Sequence, residues 1–195
     1  MNIFYSWQLD TPNKIGKTFI RSALDEAVSL LSEEMEFSEV ERPYIDQDTQ
    51  GIMGSPAIAE TIFEKIRNSD VVVVDVTLIG ESPSGKKLIN SNVAYELGFA
   101  HGHHGDHILL SVMNTHYGSP ESLPFDLKHR RWPVRFELSP NALKAEKNST
   151  KKRFVKELTS ILKLYLENPK LKEKYEPIPA TNNSASYWTK DEYSL

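Results

Sequence analysis

The stretch Asp70–Thr77 reads DVVVVDVT, a β-branched run that carries Asp75 near its end. Four consecutive valines leave no polar face, so this segment is expected in the middle of a parallel sheet covered on both sides. On its N-terminal side, Ser55-Pro56 supplies a serine cap followed by proline at the first helical position. Ile58, Ile62, Phe63 and Ile66 then recur at helical spacing, and the helix is expected to stop near Asn68-Ser69. On the C-terminal side lies a Gly/Ser/Pro/Lys loop, Ile79–Ile89. Asn90-Ser91-Asn92 then caps a helix carried by Val93, Ala94, Leu97 and Ala100.

The same alternation continues further out. Asn2–Trp7 is short, aromatic and β-prone, and Asp10-Thr11-Pro12-Asn13 is a turn cluster. From Lys14 an amphipathic helix built on Ile15, Phe19, Ile20, Ala23, Leu24, Ala27, Val28 and Leu31 runs to near Glu34. Glu33, Glu34 and Glu36 crowd its end, where the helix dipole disfavours acids. Glu39–Ile45, containing Pro43, is a weaker strand, and Asp46–Pro56 (DQDTQGIMGSP) is a polar loop. Ile108–Met113 and Trp132–Leu138 complete the strands. Leu143–Leu166 is a long closing helix with Phe154, Leu158, Ile161, Leu162 and Tyr165 on one side. Five strands interleaved with helices predict an α/β fold, a flavodoxin-like five-stranded parallel sheet with helices on both faces. Ligands in such sheets bind beyond the carboxyl ends of the strands. That directs attention to Ser6–Asp10, Asp46–Ser55, Thr77–Tyr95 and Asn114–Phe125.

The 195 residues suit one domain. Residues 1–167 are assigned to it, and 168–195, polar and turn-rich, to a tail or linker leading to a further domain. The absence of cysteine excludes disulfide frameworks, thiol nucleophiles and zinc ribbons. A net charge of -4 provides no basic field, so no direct nucleic-acid binding is expected. No charged leader precedes an apolar stretch, and Val71–Val74 is too short to span a bilayer. A cytoplasmic protein without membrane contact is expected.

Three motifs bear on chemistry. Gly80–Lys87 (GESPSGKK) matches GxxxxGK after a strand, but Lys87 stands where a phosphate loop needs Ser or Thr for magnesium, and a solvated loop is the better reading. His101–His107 (HGHHGDH) is dense in metal-capable groups but lacks a second ligand set at fixed spacing, so no metal site is assigned. The third motif is Asn90–Ala100 (NSNVAYELGFA). Val93, Leu97 and Ala100 form its apolar stripe, and Asn92 and Glu96, four apart, share its edge. Spacing alone leaves two readings of Glu96: an edge carboxylate stabilised by the helix N-terminus, or a group facing the ligand crevice.

SDVVVVDVT followed by NSNVAYELGFAHG resembles the bacterial TIR (Toll/interleukin receptor)-like family of predicted nucleotide-binding proteins. IFYSWQ, DQDTQGIMGSP and LPFDLKHRRWP add to the resemblance, which covers about Met1–Leu166. It implies a TIR-like domain that cleaves NAD in antiphage defence, giving ADP-ribose or a cyclic isomer. NAD is then substrate, and no cofactor is implied. The resemblance places the catalytic carboxylate on Glu96, with Ser6, Trp7, Asp48 and Asn92 binding substrate. It also implies a homo-oligomer in which a neighbour's loop completes the site. Trp7 or Tyr95 would stack on a ring of the substrate.

The same pattern is similar to nucleoside 2-deoxyribosyltransferases, whose nucleophilic glutamate sits in a comparable ELG helix. Both families break an N-glycosidic bond. Nicotinamide leaves NAD as a neutral group, so one carboxylate suffices, whereas a deoxyribosyltransferase needs a second, for which Asp75, Asp48 and Asp10 are available. A non-enzymatic module binding a partner through Asp46–Pro56 is the remaining alternative.

Overall fold

The computed structural model describes residues 1–35, 37, 42–46, 58–129 and 133–167. The Ser55-Pro56 helix entry, Asp48 and the tail from residue 168 lie outside these. The chain runs β1 (Asn2–Ser6), α1 (Lys17–Glu34), β2 (Tyr44–Asp46), α2 (Ile58–Arg67), β3 (Val71–Asp75), β4 (Gly80–Glu81), β5 (Lys87–Leu88), α3 (Ser91–His104), β6 (Leu109–Asn114), α4 (Phe125–Lys128), β7 (Val134–Phe136) and α5 (Lys144–Glu167). Five strands form one parallel sheet in the order β2-β1-β3-β6-β7. This is the flavodoxin-like α/β architecture. Its register pairs Ile3 with Val71, Ser6 with Val74 and Val72 with Leu109.

The valine run occupies the sheet centre because it has apolar neighbours above and below. Alternate residues point to opposite faces. Ile3, Tyr5, Val71 and Val73 pack with Phe19, Ile20 and Leu24 of α1 and Phe154, Leu158 and Leu162 of α5. Phe4, Val72, Val74 and Val76 pack with Phe63 and Ile66 of α2 and Val93, Leu97 and Ala100 of α3. Each fully buried valine of β3 contributes roughly 1.5–3 kcal/mol of transfer free energy. The face shared with α1 and α5 also holds an aromatic group: Phe136 lies 4.8 Å from both Phe19 and Phe154.

Helix ends follow local chemistry. Asn90 caps α3, its side chain accepting from the amides of Asn92 and Val93. The unfavourable acidic end of α1 is offset by an ion pair between Glu34 and Lys163 of α5. Asn13–Gly16 forms a turn instead of the first turn of α1, which starts at Lys17. A Cβ on Gly16 would lie 2.5 Å from Thr11 Oγ1, so the close approach of this turn to the first loop requires glycine there.

Two elements depart from the sequence reading. The segment expected to be a simple loop, Ile79–Ile89, contains the antiparallel hairpin β4–β5, closed by a Lys87–Glu81 ion pair at 2.5 Å, with Gly85 at φ 79° in its turn. Lys87 of the GxxxxGK match is thus a hairpin partner. The short helix α4 was also not expected. No described helix is long and apolar enough to cross a membrane.

Candidate active site

The strand order places β1 between β2 and β3, so the chain leaves β1 in one direction and returns on its other side. In doubly wound sheets the ligand crevice lies at such a switch point, which here falls at the carboxyl ends of β1 and β3. Ser6 ends β1 there, on the α3 side of the sheet by alternation with Phe4. Val93, Leu97 and Ala100 press α3 onto that face, which turns the half-buried Glu96 toward the strand. Ser6 Oγ donates a hydrogen bond to Glu96 Oε2 at 2.5 Å.

Desolvation raises the Glu96 pKa above its ordinary value, and the Ser6 hydrogen bond opposes that shift in part. The result is a carboxylate withheld from bulk water yet supplied with one fixed donor.

The other expected site residues fall in different places. Trp7 is half-buried against the α1 side, with the Lys17 ammonium 3.1 Å from its ring centroid. Asn92 is exposed in the first turn of α3, where its amide is bound by the Asn90 cap. Tyr95 is 66% exposed and meets Phe63 of α2 edge-on at 5.4 Å. Asp48 lies outside the described residues. The structure therefore brings Ser6 to Glu96 and sets Trp7 and Tyr95 on other surfaces.

Asp75 is fully buried on the face of Tyr5, Val71 and Val73, opposite to that of Ser6. It accepts from the Thr77 amide at 3.1 Å and from Gln8 Nε2 at 3.4 Å. Burial pushes its pKa up to about 6, against opposing bonds from Thr77 and Gln8. Burial, with the charge of Asp75, likewise raises the Tyr5 phenol. Asp75 thus ties loops together beneath the crevice.

Gln8 was not singled out in the sequence, because a lone polar residue after a strand leaves no periodic trace. It is buried, and its Oε1 accepts from the amides of Asp10 at 2.5 Å and Thr11 at 3.1 Å, while Nε2 donates to Thr11 Oγ1 at 2.9 Å. Asn114 plays a similar part at the end of β6, binding the carbonyls of Ile15 and Leu138 and the amides of His116 and Leu138.

The histidine run packs rather than converges. His104 Nε2 lies 2.8 Å from the Ile66 carbonyl, and His103 stacks near Phe99. Among the described residues no group of three or more acidic or histidine side chains is arranged to hold a metal.

No family model and no curated protein sequence matches the chain. Among solved structures it is similar to the 2-desoxiribosyltransferase from Leishmania mexicana, at 14% identity and a TM-score of 0.37, over 80% of this chain and 97% of that one.

Proposed function

We propose that this chain is an enzyme that breaks the N-glycosidic bond of a nucleoside or nucleotide, with Glu96 as the carboxylate acting at the ribosyl carbon. The observation that carries the proposal is the Ser6–Glu96 hydrogen bond, which fixes a partly desolvated carboxylate in the switch-point crevice. The two enzyme families that the sequence resembles share this reaction class.

With a 2′-deoxynucleoside, Glu96 attacks C1′ as its bond to the base nitrogen breaks. The bonding pair leaves with the base, which takes up a proton, and a deoxyribosyl ester remains for an acceptor base or water to resolve. Ser6 orients the attacking carboxylate. With NAD, the pair instead neutralises the pyridinium as nicotinamide leaves, and Glu96 stabilises the positive charge growing on the ribose. Asp75, fully buried on the other face, is not presented beside Glu96 to protonate a base. Self-assembly, as the TIR resemblance implies, belongs to the same proposal.

The test is direct. Purified protein at high concentration is incubated with 2′-deoxyadenosine and with NAD, and adenine and nicotinamide are followed by chromatography. At least one probe should be cleaved, and Glu96→Gln should reduce that rate about a thousandfold or more. Absence of release from both, or equal rates for wild type and Glu96→Gln, would refute the enzymatic reading. Binding without turnover, indifferent to Glu96→Gln, would point to the interaction module.

A further inference from the structure

Two side chains far apart in sequence meet near the α3 end of this crevice. Asn90 Nδ2 donates to Asp10 Oδ2 at 2.6 Å. The other end of the same amide is already committed, since Asn90 Oδ1 accepts from Asn92 N and Val93 N at 2.9 and 3.0 Å. Capping therefore turns the oxygen toward the helix and leaves the NH2 group toward Asp10. Asn and Asp cap helices about equally well, but of the two only Asn carries the donor that Asp10 accepts.

Asp10 is also held from behind. Gln8 Oε1 accepts the backbone N–H groups of Asp10 and Thr11, and Gln8 is itself buried. The loop so fixed presents Asp10 four positions after Ser6, just as Asn90 stands six positions before Glu96. The Ser6–Glu96 and Asp10–Asn90 bonds thus bracket one stretch of the crevice, about 9 Å long by helical rise.

We infer that Asp10 and Asn90 form a latch, and that Asn90 is a positioning residue holding the first loop where Ser6 meets Glu96. The inference rests on the reading of Glu96 as the catalytic carboxylate. An exposed polar contact contributes little to global stability, so the latch acts on local geometry. Opening it lets the first loop move away from α3 and loosens the alignment of Ser6 with Glu96.

The full chain tests this with Asn90→Asp and with the double variant Asp10→Asn/Asn90→Asp. The single variant keeps the cap but sets two carboxylates against each other. The double variant reverses donor and acceptor across the same gap and keeps the cap. Amide hydrogen exchange over Trp7–Thr11 is measured alongside adenine release from 2′-deoxyadenosine and nicotinamide release from NAD. Asn90→Asp should speed exchange in that loop and lower kcat/KM about tenfold, chiefly through kcat, with Tm nearly unchanged. The double variant should recover both to within about threefold of wild type. Unaltered loop exchange in Asn90→Asp, or a double variant as impaired as the single, would overturn the latch. A wild type that cleaves neither probe would overturn the Glu96 reading alone, while exchange would still decide whether the latch exists.

Discussion

The Ser6 hydroxyl and the Glu96 carboxylate, ninety positions apart in sequence, share a 2.5 Å hydrogen bond that joins the end of β1 to α3. Burial raises the acid and the hydroxyl lowers it, so the pH at which Glu96 ionises reports on both. In the proposed reaction Glu96 works in its ionised form. The acid limb of kcat/KM should therefore reflect a pKa above the ordinary glutamate value of 4.5. Ser6→Ala removes the lowering influence and should move that limb to higher pH, with a rate loss of about tenfold. Superimposable pH profiles for the two proteins would separate Ser6 from the ionisation of Glu96.

Asp75 should make the fold sensitive to pH. Its folded pKa of about 6 lies above the unfolded value of 3.8, so the native state holds the proton more tightly. Its stabilising contribution is complete below the unfolded pKa and is lost as pH rises through the folded one, a change on the order of 3 kcal/mol. Asp75→Asn cannot ionise. Its Tm relative to wild type should therefore be higher at about pH 8 than at about pH 4. A constant difference across that range would show that Asp75 ionises in the folded protein as it does in the unfolded chain.

Gly118 has a backbone requirement that thermal or chemical unfolding can detect. Its φ is 141°, and a Cβ there would lie 2.6 Å from Leu78 Cδ1, a buried side chain just beyond β3. Gly118→Ala should destabilise by about 1–3 kcal/mol through backbone strain and overpacking. Adding Leu78→Ala relieves the clash and leaves the strain, so the two substitutions should be non-additive. Simple additivity would place the cost entirely in the backbone.

Asn114 is held by amides and carbonyls together, which makes it intolerant of charge. Asn114→Asp replaces its NH2 donor by an oxygen facing the carbonyls of Ile15 and Leu138, at 3.2 and 2.9 Å from Nδ2 in the native chain. The expected loss is about 3–5 kcal/mol at neutral pH, diminishing in acid as the carboxyl regains a proton to donate. Denaturant melts at two pH values measure both the size and the sign.

Periodic features were readable from the sequence and solitary polar contacts were not. Val71–Val74 identified the central strand because burial on both faces leaves an unbroken apolar run. Val93, Leu97 and Ala100 oriented α3, and the cap at its start was visible in Asn90. The hairpin β4–β5 was missed because each strand has two residues and its pairing is made by backbone, Glu81 and Lys87, with no apolar alternation. Gln8, Asn114 and the pairing of Asp10 with Asn90 escaped for a related reason. Their partners are backbone groups or distant side chains, and such pairings leave no mark in local composition. Asp75 looked like a candidate second acid until alternation along β3 put it on the face away from Glu96.

The position of β1 between β2 and β3 has a consequence for biosynthesis. Of the sheet's strands β1 is synthesised first, and its hydrogen-bonding partners come later at Tyr44–Asp46 and Val71–Val74, while β3 must in turn wait for Leu109–Val112. Parallel pairing offers no local hairpin to hold β1 in the meantime, so closure is non-local and slow. Ser6 and Glu96 cannot meet until most of the described chain has emerged. A nascent chain that stops before α3 therefore lacks the Ser6–Glu96 pair.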